Sequence, residues 1–145
     1  MAKLGTGGKP PLFDRLSLSE DGTPPKGLGL AEVRMSIQQT LHLLAATRSS
    51  RSLEGYLSGE LTTLDFGIPD FGSLSPATES DRRLMSRVIA RAISAFEPRV
   101  KNPEVRALPA SPQSANTMRF EIQATVTLQQ LSERITFDLG VSRAK

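Results

Sequence analysis

Between Phe96 and Met118 the apolar residues of this chain change their spacing from one helical turn to every second position, and that switch restricts the fold to helices laid on a sheet. On the helical side, Leu84, Val88, Ala92 and Phe96 form one ridge at four-residue spacing and Met85, Ile89 and Ile93 form its neighbour. This predicts a core helix over about residues 76–96, with one side buried. On the other side, Met118, Phe120, Ile122, Ala124, Val126 and Leu128 alternate with Arg119, Glu121, Gln123, Thr125 and Thr127. Such alternation puts the apolar set on one face of a strand and the polar set on the other. Ile135, Phe137, Leu139 and Val141 repeat the pattern after a polar connection, 129–133, short enough to favour an antiparallel hairpin. Val105 and Leu108, between Pro103 and Pro109, predict a shorter strand at an edge, because proline cannot serve an inner ladder.

The apolar face of such a sheet has to be covered. Besides the core helix, one further helix is available for that. Val33, Ile37, Leu41 and Leu44 recur at helical spacing within 31–48, with Glu32, Arg34, Gln38, Gln39 and Arg48 mostly elsewhere on the surface. The stretch between the helices, 49–75, carries Gly55, Gly59, Gly67, Gly72 and Pro69 without sustained periodicity and reads as a long connection. Within it Leu64-Asp65-Phe66-Gly67-Ile68-Pro69-Asp70-Phe71 is too apolar for a solvated loop and is expected to pack on the core. Residues 1–30 are punctuated by Gly and Pro and read as an extended, flexible arm, interrupted by Leu12-Phe13-Asp14-Arg15-Leu16. That short segment is either a turn packed on its own domain or a hook for a partner. The expected architecture is α+β: two main helices packed on a mostly antiparallel sheet of three to four strands. The arm covers 1–30 and the domain 31–145. A chain of 145 residues needs only one core, since a domain of about this size buries roughly 70% of its unfolded surface.

The residues of familiar catalytic chemistry are scarce. There are no cysteines, which excludes disulfides, thiolate catalysis and cysteine-built zinc sites and fits a reducing compartment. Gly22 and Gly27 have the separation of a phosphate loop, but Leu28 stands where the lysine is required, and Gly8-Lys9 is followed by Pro10. His42 is the only histidine, so neither a metal cluster nor a nucleophile–histidine pair has support. Glu54, Glu60, Asp65 and Asp70 offer carboxylates for a glycosidase pair, but nothing in the sequence brings two of them together. The N-terminus lacks the apolar core of a signal peptide, and no run approaches a membrane span of roughly 18 residues. The expectation is therefore a cytoplasmic protein, not an enzyme, with no cofactor and no metal. Its 18 basic and 15 acidic residues are interleaved and aromatic platforms are few, which argues against nucleic-acid binding.

Two features point instead toward contacts with other polypeptides. Arg83, Arg87 and Arg91 lie four apart on the core helix and form either a solvated face or a partner contact. At the end of that helix stands Glu97-Pro98-Arg99. Pro98 biases Glu97 out of the helical region and stops the helix, while a carboxylate in the last turn is opposed by the helix dipole. The charge needs compensation, supplied either by Arg99 or by an arginine of another subunit, and Arg99 in turn suits a bidentate contact with an acid. The alternative is a local stop signal whose charges are solvated.

Leu12-Phe13-Asp14-Arg15-Leu16, Leu43-Leu44-Ala45-Ala46-Thr47-Arg48, Leu64-Asp65-Phe66-Gly67-Ile68-Pro69-Asp70 and Phe96-Glu97-Pro98-Arg99-Val100 occur in this order ahead of the closing hairpin. In this series the chain resembles, over about 12–141, the phage baseplate wedge proteins often labelled lysozyme-like, and within them the TssE branch of type VI secretion systems. The resemblance implies a structural role: joining the wedge and offering a platform on which a contractile sheath assembles. It implies as partners the wedge subunits TssF, TssG and TssK, and the sheath subunits TssB and TssC by strand addition to an open sheet edge. Neither nucleic acid nor direct membrane insertion belongs to that role. The baseplate would sit at the cytoplasmic face of the inner membrane. Glu97, Pro98 and Arg99 would meet a helical bundle of neighbouring wedge subunits, with Leu12, Phe13, Asp14, Arg15 and Leu16 as a second contact. The alternatives are the equivalent wedge protein of a contractile phage tail or phage-derived particle, a peptidoglycan-cleaving enzyme, and a basic nucleic-acid module built on Arg83, Arg87 and Arg91.

Overall fold

The computed structural model describes residues 29–110, 116–128 and 131–142; the expected arm and its Leu12–Leu16 segment lie outside the described residues. Helix α1 is Leu30–Ala46, α2 is Leu53–Ser58 and α3 is Glu79–Phe96; a 3-10 turn at Thr63–Asp65 lies between α2 and α3. Strands β1 (Val100–Ala107), β2 (Thr117–Leu128) and β3 (Leu131–Ser142) form an antiparallel sheet in the order β1-β2-β3. This is the expected α+β arrangement, with three strands among the described residues.

The register follows from the alternation. Met118 lies opposite Val141, Phe120 opposite Leu139, Ile122 opposite Phe137 and Ala124 opposite Ile135, so along these four pairs apolar side chains meet apolar ones on one face. All eight are buried. A slip by one residue would turn every one of them to solvent, which is why the pattern fixes the pairing. Helix α3 contacts β1 and α1 contacts β3. From these helices Val33, Ile37, Leu41 and Leu44, and Met85, Val88, Ile89, Ala92 and Ile93, close the core. Each of the Val, Leu, Ile and Met side chains among them contributes about 1.5–3 kcal/mol by leaving water.

The boundaries differ from expectation in four places. Helix α3 begins at Glu79, not near Pro76, because Pro76 and Ala77 form a turn in which Asp81 accepts the Ser75 N–H at 2.9 Å. Helix α1 stops at Ala46 because the Thr47 carbonyl accepts the Ile68 N–H (3.0 Å) and the Ile68 carbonyl accepts the Ser49 N–H (2.9 Å), which draws the chain into a parallel bridge. Strand β3 starts at Leu131, inside the expected polar connection, with Ser132 opposite Thr127 and Glu133 opposite Val126. Backbone pairing carries the hairpin on to Leu128 opposite Leu131. Strand β1 lies at the edge as expected but starts at Val100 and ends at Ala107, leaving Leu108 outside and taking in Pro103 at a register shift between Lys101 and Glu104, where Asn102 has φ 50°.

Candidate partner-binding site

The corner between α3 and β1 holds the Glu97-Pro98-Arg99 motif. Glu97 ends the helix with its N–H on the Ile93 carbonyl (2.9 Å), and its own carbonyl accepts the Val100 N–H (3.1 Å) as the strand begins. Its side chain turns inward and is buried, and Arg99 of the same chain supplies the compensation. Arg99 donates through Nε to Glu97 Oε1 (2.8 Å) and through Nη2 to Oε2 (2.7 Å), a bidentate fork, and its backbone N–H reaches Oε1 at 3.2 Å. The guanidinium also touches α1, donating to Ser36 Oγ (3.0 Å) and Thr40 Oγ1 (3.5 Å). Of the three residues, only Pro98 is fully exposed, and Arg99 is partly exposed. The motif thus presents a proline ring and the margin of a fixed guanidinium, and hides the acid.

The apolar loop packs beside this corner. Phe66 meets Phe96 edge to face, with ring centroids 5.4 Å apart, directly before Glu97. Ile68 and Phe71 are buried as expected, whereas Leu64 is 91% exposed. Gly67 takes φ 109°, and an added Cβ would stand 2.6 Å from the Thr47 carbonyl oxygen, so glycine is needed there. Its carbonyl accepts the buried Tyr56 hydroxyl at 2.6 Å, and burial pushes that phenol up to about 12. Arg48 caps the α1 end on the Ala45 carbonyl (2.8 Å) and lies over the Phe71 ring at 4.9 Å.

The turn bearing Leu64 is held by Asp65. Arg51 donates to both of its oxygens, Nε to Oδ1 at 2.8 Å and Nη2 to Oδ2 at 3.2 Å, and the Thr62 N–H reaches Oδ2 at 2.8 Å. The Arg51 hydrogen bond, followed by that from Thr62, lowers the Asp65 carboxyl to about 2. The Thr62-x-x-Asp65 spacing of a capping box was the readable sign of this turn, and the sequence reading missed it. The supposed basic row divides. Arg83 pairs with Glu79 four residues away, Arg87 is exposed, and Arg91 turns in to donate to the carbonyls of Tyr56 (2.6 Å) and Gly59. Arg91 therefore ties α3 to the end of α2. Nothing local in the sequence signals a contact between residues so far apart.

His42 is exposed, with its Nε2 2.9 Å from Gln38 Nε2. Among the described residues no three His, Asp or Glu side chains converge as a metal site, and no helix is long and apolar enough to cross a membrane.

The family model described as baseplate wedge protein gp25 matches residues 31–131. Among solved structures, a chain of "The baseplate complex from the type VI secretion system" shares the fold with a TM-score of 0.54 and 17% identity, over 77% of this chain and 96% of that one. No curated protein matches the sequence significantly.

Proposed function

This chain belongs to the baseplate wedge protein gp25 family, and from that membership we propose that it is the structural wedge subunit of a type VI secretion baseplate. In this reading it joins TssF, TssG and TssK and gives the sheath subunits TssB and TssC a sheet edge to extend, at the cytoplasmic face of the inner membrane. It works as a scaffold and not as a catalyst. The fold likeness to a chain of a type VI baseplate favours the secretion system over a phage tail.

The observation that carries the reading is the Glu97-Pro98-Arg99 corner. The buried carboxylate holds Arg99 in one orientation, and Arg99 is bonded to Ser36 on the other helix, so the exposed Pro98 rests on a rigid base. A preorganised contact loses little entropy on binding. Strand addition suits a three-stranded meander, because an outer strand can offer its outward backbone groups for another chain to pair.

Co-purification with TssF and TssG tests the corner. Pro98→Ala and Arg99→Lys are expected to reduce recovery of the wedge complex while circular dichroism stays unchanged. Full recovery of both variants would remove the motif from the interface.

A further inference from the structure

The two outer strands are not equivalent as acceptors. In an antiparallel sheet the N–H and C=O of one residue point to the same side, alternating along the strand. The Leu108 N–H bonds to the Arg119 carbonyl at 2.8 Å, which fixes the alternation. Given the register, Glu104 and Arg106 face β2, while Val105 and Ala107 turn their backbone groups to the free side of β1. By the same alternation Thr136, Asp138, Gly140 and Ser142 face the free side of β3.

On β3 that side is already in use. Arg34 donates to the Thr136 carbonyl (3.3 Å), Gln38 to the Asp138 carbonyl (2.8 Å) and Arg48 to the Ser142 carbonyl (3.0 Å). The match has a geometric basis. Four residues of helix rise about 6 Å and two residues of strand about 6.8 Å, so side chains one turn apart on α1 meet successive outward carbonyls of β3. Helix α1 stands in for a neighbouring strand, and a chain adding at β3 would first have to displace these donors.

On β1, no side chain of the described residues bonds to the outward groups of Val105 and Ala107. A groove of about 430 Å³ runs between this edge and α3, with Val105 and Ala107 in its lining. Its charged lining is Arg82, Arg83, Arg87 and Arg106 against Glu79. Glu79 is already paired with Arg83, and Arg82 is spent on the carbonyls of Pro76 and Ala77. Arg87 and Arg106 have no ion-pair partner among the described residues; Glu121, opposite Arg106 in register, accepts from Gln123 instead. The shift at Asn102 and Pro103 interrupts the edge upstream, so only a short segment beside 104–108 has a regular strand to follow.

We propose that β1 is the accepting edge, and that its occupant is a short extended segment of another polypeptide carrying carboxylates toward Arg87 and Arg106. This rests on the strand-addition reading given under Proposed function, and it adds the edge and the partner's chemistry.

Two measurements on the full chain test it. In an amide NMR titration, a short acetylated peptide alternating valine with glutamate is expected to shift Val105 and Ala107. It should bind at least about tenfold more tightly than a peptide alternating valine with lysine, and at least about tenfold more weakly to an Arg87→Glu/Arg106→Glu variant. Shifts confined to Thr136 and Asp138, equal binding of the two peptides, or no shift at all would overturn the proposal.

The second measurement is co-sedimentation of assembled sheath with Val105→Pro and Asp138→Pro, each of which removes an outward N–H and leaves the inner ladder's N–H groups in place, with circular dichroism and a melt confirming that each variant is folded. Loss with Val105→Pro alone supports the β1 edge. Loss with Asp138→Pro alone overturns the edge assignment while strand addition stands. Loss with neither removes strand addition itself.

Discussion

Removing Arg99 should destabilise the fold more than removing Glu97, although the two residues form one ion pair. The Glu97 side chain is 3% exposed and Arg99 is 24% exposed. In Arg99→Ala the carboxylate keeps its backbone N–H contact at 3.2 Å but loses both guanidinium bonds and stays shut away from water. An acid left buried without its counter-charge costs about 3–5 kcal/mol. In Glu97→Ala the guanidinium keeps its 3.0 Å bond to Ser36 and has a solvent-facing margin through which to hydrate. The cost is then nearer the roughly 1.5–3 kcal/mol of a hydrogen bond to a charged group. At about 4 °C per kcal/mol for a domain of this size, Tm should fall by roughly 12–20 °C in Arg99→Ala and by roughly 6–12 °C in Glu97→Ala. Both variants should remain folded at 25 °C if the domain's stability is about 7 kcal/mol or more, within the usual range of about 5–15 kcal/mol. Urea and thermal melts followed by circular dichroism measure the difference, and loss of wedge recovery at 25 °C then reports on the interface alone. The reasoning fails if Glu97→Ala is the more damaging change, or if both cost under about 1 kcal/mol.

Three further perturbations address the loop. Gly67→Ala should cost roughly 2–4 kcal/mol in urea melts, since positive φ and a 2.6 Å approach to a backbone oxygen leave the methyl group no escape; a cost below about 1 kcal/mol would contradict the close packing. Asp65 titrates at about 2 in the fold against 3.8 unpaired, so its contribution is full above pH 3.8 and is lost as pH falls toward 2; Arg51→Met should flatten stability over that window. Tyr56 is raised from 10.0 to about 12, so its contribution is full below pH 10 and is lost as pH rises toward 12. Tyr56→Phe should remove that alkaline loss at a cost of about 1 kcal/mol at neutral pH, checked by melts across the range.

What was legible in the sequence was whatever repeats. Met85, Ile89 and Ile93 on α3, and the alternating apolar residues from Met118 to Val126 on β2 and from Ile135 to Val141 on β3, mark elements long enough for the period to outweigh local noise, and all lie in the core. Helix α2 is six residues long, too short for a period, and its stability comes from Ser52 capping the Gly55 N–H and Arg91 capping its far end. At the corner, the sequence showed that Glu97 needed a cation but left its source open. Arg99 answers that from two residues away, and the Ser36 contact 63 residues distant has no local sign. Leu64 broke the expectation of a buried loop because the clamp on Asp65 fixes the turn from beneath, leaving that side chain outward. The α1 to β3 contacts escaped notice because Arg34, Gln38 and Arg48 look like ordinary surface residues until the outward carbonyls of a particular strand are placed beside them.

The corner and the two edges are one mechanical unit. The Glu97 carbonyl starts β1 by accepting the Val100 N–H, and the Glu97 carboxylate positions Arg99 against Ser36 on α1. Two residues before Ser36, Arg34 donates to the β3 edge, and two residues after it Gln38 does the same. Through these bonds, several of them charge-assisted, a single turn therefore sets the start of β1 and braces the helix that lies along the β3 edge. A partner gripping Pro98 would fix both edges at once, because packed elements of this kind move as a body and deform little. Under the proposed function, wedge binding would thus set the orientation of the β1 edge before any strand arrives. A sheath contact on β3 would instead require Arg34 and Gln38 of α1, and Arg48 just beyond it, to release three carbonyls of β3, loosening the brace on which the wedge contact rests.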